Sequence, residues 1–338
     1  MNLNDPEIFQ RLDPGRVMAG IQAMPDRLEA GWREGLNLHL AHLPSIEGIT
    51  RVALFGTEPA CAAVDLLATY ALPLAPVPVL VLEPGPLPGW LQGASTLVIC
   101  VAAGDSSTAH VLADTALKRD CRVLVHALPE QPMEYIFGLL LATCYRLDLL
   151  PGTLAELEDA VRSLRDQQPA LMPDNLVARN PAKRMAGQLM GRWVVVFGPG
   201  MLEPVARRWK AQINGLAKAL AQFEGLPGAD LASVAGLNYP EGLLSQVMVL
   251  FLQAASLPER SRMRQEFTRQ AYMVQGMNTD TIDARGTSRL AHLWTLLQFG
   301  DYMAYYLAMA YGENPSQASV LAEMQEELSL FPTFEKQQ

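Results

Sequence analysis

The feature that most constrains this chain is a set of short segments that are apolar along their whole length. Arg51–Phe55 (RVALF), Thr96–Val101 (TLVICV), Arg122–Ala127 (RVLVHA) and Arg192–Phe197 (RWVVVF) are rich in β-branched residues. None alternates apolar with polar, as a strand with one wet face would. A strand with no polar face must be covered on both sides, which is the environment of a parallel sheet between helices. The intervening stretches 59–72, 107–118 and 133–147 carry helical spacing, and Val77–Leu82 is a further strand candidate. Strands and helices in alternation predict an α/β fold with crossover connections.

The pattern occurs twice. Residues 15–43 read as helix, interrupted at Pro25, and residues 151–190 form a more polar connector with one helix (153–166) and prolines at 169, 173 and 181. Beyond it, Arg192–Phe197 ends in Gly198-Pro199-Gly200, and a helix is expected over 201–222. Strands are expected at Leu231–Leu237, Gln246–Phe251 and Tyr272–Gln275, and helices at 285–311 and 316–328. The expected architecture is two tandem doubly wound, flavodoxin-like α/β/α domains with parallel sheets. Its segments are an N-terminal helical part (1–47), a first domain (48–150), the connector (151–190) and a second domain (191–330). A chain of 338 residues, half of them apolar, can fill two such cores. Open sheets of this kind bind ligands beyond the carboxyl ends of their strands. That singles out the loops after Phe55, Val101 and Phe197.

Charge narrows the partners. The net charge is −9, and residues 1–150, with 9 basic and 16 acidic side chains, account for −7 of it. Nucleic acids and anionic membranes reward the opposite balance. Cys61, Cys100, Cys121 and Cys144 are widely spaced in apolar surroundings, with no C-x-x-C pair, so reduced, buried thiols are expected. The first residues, MNLNDPEIFQRLDP, are polar and acidic rather than signal-like, and the longest apolar runs fall short of a membrane span. The expected compartment is the cytoplasm.

Local motifs are mostly uninformative alone. Gly198-x-Gly200 opens a helix after a strand, but Glu203 stands where a dinucleotide fingerprint needs a small residue, so no nicotinamide cofactor is expected. Ser106-Ser107-Thr108 follows a strand and precedes a helix, which suits either a phosphate cradle or a simple helix cap. The adjacent Asp105 opposes an anion. His39, His42, His126 and His292 do not cluster, so no metal is expected. Phe299–Ala308 is dense in aromatics around Asp301 and reads as core by composition.

These pieces acquire a lineage together. Gly286-x-Ser288-x-Leu290-Ala291, Gly300-Asp301-Tyr302, Tyr306-Leu307-Ala308 and Asn314-Pro315 resemble the C-terminal half of the bifunctional phosphoglucose/phosphomannose isomerases. These are sugar-isomerase (SIS) proteins with two SIS domains in tandem. Ala206-Arg207-Arg208-Trp209-Lys210 with Asn214, the stretch Leu12–Leu28 and the strand Thr96–Val101 extend the resemblance along nearly the whole chain. It implies aldose–ketose isomerisation of glucose 6-phosphate or mannose 6-phosphate to fructose 6-phosphate without a cofactor, and a homodimer. The aromatic helix with Tyr302, Tyr305 and Tyr306 is then a candidate packing surface. Gly56, Thr57, Ser106, Ser107 and Thr108 fall in its phosphate-binding loops.

The chemical positions of that family are occupied differently here. Its base carboxylate falls on Gly215, within Asn214-Gly215-Leu216-Ala217-Lys218. Its ring-opening histidine falls on Leu231, its first-domain arginine on Met133, and its C-terminal lysine on Gln325. Glu58 and Asp105 bring new acids to the phosphate loops. Two readings follow: a family-type isomerase with a rearranged site, or a non-catalytic relative that binds a sugar phosphate or acts by interaction.

Overall fold

The structure is a computed structural model, and it describes residues 2–38, 46–57, 60–104, 107–316, 323, 324 and 327. Three helices open the chain: α1 (Pro6–Leu12), α2 (Val17–Gln22) and α3 (Met24–Asn37). The first α/β series is β1 (Arg51–Gly56), α4 (Ala60–Ala71), β2 (Val79–Val81), β3 (Thr96–Ala103), α5 (Ser107–Lys118), β4 (Arg122–Leu128) and α6 (Met133–Arg146). Two helices, α7 (Thr153–Leu171) and α8 (Pro181–Leu189), lead to the second series. It begins with β5 (Trp193–Pro199), α9 (Glu203–Ala217), β6 (Ala221–Leu226), α10 (Asp230–Ala235) and α11 (Glu241–Leu244). It ends with β7 (Val247–Gln253), α12 (Glu259–Val274), β8 (Asn278–Asp283) and α13 (Arg289–Tyr311).

Each series builds one four-stranded, wholly parallel sheet, in the orders β2-β1-β3-β4 and β6-β5-β7-β8. The two orders are equivalent, so the architecture is a repeated doubly wound sheet, as the all-apolar strands predict. β3 is buried at every residue and β7 at six of seven, since both are interior strands. Contacts gather the chain into two compact units. One holds residues 1–24 and 156–322, the other 25–155 and 323–338. Residues 1–24 and most of α7, with all of α8, therefore belong with the second sheet.

Two strand expectations in the second half are corrected. Leu231–Leu237 is α10 and the turn after it, whereas the strand is Ala221–Leu226, of which the helix expected over 201–222 takes in only the first two residues. Tyr272–Gln275 is the end of α12, and the strand is Asn278–Asp283. Both missed strands, AQFEGL and NTDTID, lie at sheet edges, where one side of the ladder is open and polar side chains are tolerated. The helix expected at 316–328 lies almost wholly outside the described residues.

In the unit of the second sheet, α13 is the central element and packs against α8 and α9. Tyr302, Tyr305 and Tyr306 are fully buried. Their placement on an outward packing surface is thereby corrected: they are core. The Tyr305 hydroxyl donates to Asp13 Oδ2 at 3.2 Å. Buried Lys183 donates to the carbonyls of Leu3, Pro173 and Asn175 at 2.6–2.8 Å, beneath the rings of Phe9 and Tyr306. The N-terminal helix is thus tied into this core by a cation held by carbonyl dipoles and aromatic faces.

In the other unit, α3 crosses α6 at Gly31, Gly35 and Gly138. A Cβ on Gly31 would overlap the Tyr135 carbonyl oxygen, and one on Gly138 the Leu28 carbonyl. Cys100 and Cys144 are buried here, and burial pushes both thiols up to about 12, so they are inert. Cys121 is also buried, and Cys61 is half-buried on α4; none of the four is in a disulfide.

His126, on β4, is buried against α6. Thr143 Oγ1 donates to the Leu139 carbonyl at 2.9 Å, so its contact with His126 Nε2 at 3.3 Å is one in which the imidazole N–H donates. Burial pushes the His126 pKa down to about 4, from an ordinary 6.5. The unfolded chain takes up that proton as pH falls through 6.5 and the native chain does not until about 4. Stability is therefore lost between those values, by about 3 kcal/mol in total. His126→Gln keeps the donor and removes the titration. In urea denaturation at pH 7 and pH 4, its stability difference is expected to be smaller than that of wild type by about that amount.

Candidate functional site

In an order such as β2-β1-β3-β4, the chain leaves β1 toward one edge and returns to β3 on the other side. A crevice opens between their carboxyl ends. Gly56 ends β1 opposite Val101 of β3. A Cβ on Gly56 would press on Ala60, so glycine lets α4 start close to the strand. The Thr57 carbonyl accepts the amides of Ala60 and Cys61 and begins that helix. Gly104, with φ +67°, turns the chain out of β3 while its amide donates to Leu128. Ser107 and Thr108 then form the first turn of α5, Ser107 exposed and Thr108 half-buried. Gly56, Thr57, Ser107 and Thr108 are thus brought to one rim. Ser106, Glu58 and Asp105 lie outside the described residues.

Met133 opens α6 with its side chain buried. Arg27 of α3 lies beside this position, its guanidinium 3.0 Å from the Glu134 carboxylate. No sequence spacing signals that approach, because it is created by the glycine crossing of α3 on α6.

The second sheet has an equivalent crevice between β5 and β7. Gly198 packs against the Leu202 carbonyl, and Gly200 takes φ +53°. Glu203 starts α9 with its carboxylate 3.3 Å from Arg207 and against Gly225 of β6. An acid stands where an incoming anion would meet the helix terminus. Beyond β8, the Gly286-x-Ser288 motif proves to be a helix start. Ser288 caps α13 through the Ala291 amide at 3.1 Å. Asp159 accepts the Thr287 and Ser288 amides at 2.9 and 2.7 Å. Burial opposes the Asp159 charge, but the hydrogen bonds from Thr287 and Ser288 outweigh it and hold the carboxyl well below its usual range. His292 is pinned between Ser256 Oγ at 2.7 Å and the Gly286 carbonyl at 3.2 Å.

Gly215 lies elsewhere. α9 runs from the carboxyl end of β5 back to the amino end of β6, so its last turn sits at the amino edge of the sheet. A Cβ at Gly215 would meet nothing within 4 Å. Its neighbours in the motif serve the helix end: Asn214 Oδ1 accepts the Ala221 amide at 2.9 Å. Lys218, in the left-handed conformation, donates to the carbonyls of Gly215 and Ser316 at 2.6 and 2.7 Å. Leu231 follows the carboxyl end of β6 and is 81% exposed on α10. Positions 215 and 231 therefore stand at opposite edges of one sheet. Gln325 lies outside the described residues. Among the described residues, no three His, Cys, Asp or Glu side chains converge as a metal site. No described helix is long and apolar enough to cross a membrane.

The repeated sheet and these loops can be set beside known proteins. Residues 178–328 match the family described as the bacterial phospho-glucose isomerase C-terminal SIS domain. That stretch, which holds α8 and the second α/β series, belongs to this family of SIS domains. A bifunctional phosphoglucose/phosphomannose isomerase of Caldicellulosiruptor bescii is 23% identical over 326 residues, which cover 89% of this chain and 95% of that protein. One from Aquifex aeolicus is 27% identical over 217 residues, 64% of each chain. Among solved structures, a glucose-6-phosphate isomerase like protein from Thermus thermophilus superposes with TM-score 0.61 at 19% identity, covering 95% of this chain and 99% of its own. Tagatose-6-phosphate ketose/aldose isomerase of Escherichia coli gives 0.66 at 14% identity, covering 88% and 94%. With its two parallel four-stranded sheets, the chain shares the tandem SIS fold of such structures.

Proposed function

We propose that this chain binds a phosphosugar at the crevice of β1 and β3 and lacks the family's rate of aldose–ketose isomerisation. The carrying observation is Gly215. Moving a proton between C1 and C2 needs a base, and glycine offers none. Loss of a positioned base alone typically costs about 10²–10⁴-fold. Leu231 and Met133 likewise bring no titratable group to the positions that the family resemblance assigns to ring opening and to a cation. Ser107, Thr108 and the first amides of α5 hold the phosphate, while Gly56 and Gly104 let the backbone approach it.

The second reading, a retained isomerase with a rearranged site, is favoured by the activity in the relatives' names. Fructose 6-phosphate incubated with the purified chain separates the two. Formation of glucose 6-phosphate or mannose 6-phosphate is expected at no more than a small fraction of ordinary turnover, and rates of order 1–10³ per second would refute the proposal. The same sugar is expected to raise the melting temperature, because a ligand that prefers the native state adds RT ln(1 + [L]/Kd) to stability.

A further inference from the structure

The two buried histidines among the described residues are satisfied in opposite senses. His126 donates to Thr143, whose own hydroxyl donates to the Leu139 carbonyl, and both side chains are sealed from solvent. At His292 the Gly286 carbonyl, which can only accept, lies 3.2 Å from Nε2 and so fixes the ring proton there. Nδ1 is left as an acceptor, and the Ser256 hydroxyl, 2.7 Å away, donates to it. The imidazole is 1% exposed, whereas Ser256 is an exposed residue. It stands three residues beyond the carboxyl end of β7, where an open sheet of this kind meets a ligand at the β5–β7 crevice. A hydroxyl on an exposed residue that gives its proton to a buried base, itself oriented by a third group, is the arrangement of an activated nucleophile.

We propose that Ser256 and His292 form a nucleophile–base pair that takes an uncharged carboxylic ester. Ser256 Oγ bonds to the ester carbonyl carbon as its proton passes to His292 Nδ1. The carbon–oxygen bond to the alcohol then breaks, and the alcohol leaves with that proton. Water adds to the acyl-serine by the same route, releasing the acid and restoring the serine, so ester and water give acid and alcohol. Desolvation pushes the His292 pKa below its ordinary 6.5, which leaves the ring neutral and able to accept at pH 7. Asp159 and Glu156 of α7 act on the ring electrostatically. Both are fixed on the start of α13, Asp159 by the Thr287 and Ser288 amides and Glu156 by the Leu290 amide at 3.2 Å. Their charge favours the imidazolium formed in the step and opposes an anionic phosphoryl donor, so the fitting substrate is a neutral ester. α12 starts three residues after Ser256, and the first amides of a helix have no acceptor one turn back, so donors for an oxyanion follow the nucleophile in the chain. The inference is independent of which ligand the β1–β3 crevice takes.

Two probes of the full chain test it. Phenylmethanesulfonyl fluoride, read by peptide mass spectrometry, is expected to label Ser256 at least about 10²-fold faster than Ser245, which is exposed at the end of α11. Hydrolysis of p-nitrophenyl acetate is expected to fall by at least about 10²-fold in Ser256→Ala, with unchanged circular dichroism, and comparably in His292→Gln, which keeps a donor for the Gly286 carbonyl but cannot take the proton. Labelling of Ser256 no faster than of Ser245 overturns the proposal. So does a folded Ser256→Ala variant that hydrolyses the ester as fast as wild type. Both of those outcomes stand even if His292→Gln fails to fold.

Discussion

If position 215 meets the sugar as the family resemblance implies, Gly215→Glu is expected to raise the rate of fructose 6-phosphate isomerisation at least about 10²-fold above wild type, the usual worth of a positioned general base. The substitution is sterically free, because a Cβ there meets nothing within 4 Å. It also replaces the poorest common helix former but proline, so stability is expected to hold or rise by up to about 1 kcal/mol. Lys218 stands on the same helix end, its ammonium on the Gly215 carbonyl, so the new carboxylate has a cation one turn away. Gly215→Gln is the control, equal in size and unable to take a proton. A folded Glu variant no faster than the Gln variant would show that position 215 does not meet the sugar, and would remove the observation that carries the proposed loss of catalysis.

The second large effect is structural. Gly31→Ala is expected to destabilise the chain by about 2–4 kcal/mol in urea denaturation. The added methyl would overlap the Tyr135 carbonyl oxygen, and a backbone atom inside a helix cannot step aside as a flexible side chain can. To make room, α3 must lift from α6. That opens the contact one turn on, where Gly35 already faces the Leu139 carbonyl at a prospective 2.6 Å, and unpacks Leu28 and Trp32, both buried. Gly187→Ala on α8 is the counter-case. Nothing lies within 4 Å of its Cβ position, and helix propensity alone predicts a gain of up to about 1 kcal/mol. Equal behaviour of the two variants would refute the account of the crossing.

Much of the fold was legible because interior strands must be apolar on both faces. RVALF, TLVICV and RWVVVF fall in β1, β3 and β5, all interior or central in their sheets. The edge strands AQFEGL and NTDTID escaped, since an edge needs only one hydrogen-bonding neighbour and can keep Gln222, Glu224 and Asp280 half wet. For the candidate site, the rim of Gly56, Thr57, Ser107 and Thr108 could be located from strand ends and helix starts. Arg27 beside Met133 could not, because a helix crossing 106 residues away in the chain brings it there.

By itself, the sequence determined the class of structure, two parallel α/β sheets, and put glycine and leucine where the family resemblance expects a base and a histidine. A glycine cannot become a base through folding. Only the tertiary structure decided which apolar surfaces are inside. It buried Tyr302, Tyr305 and Tyr306, which periodicity left free to face outward, and exposed Phe267 and Val274. It also set Gly215 and Leu231 at opposite edges of one sheet. The physical reason is that composition and spacing fix what a helix can bury, while the direction it faces depends on the neighbours packed against it.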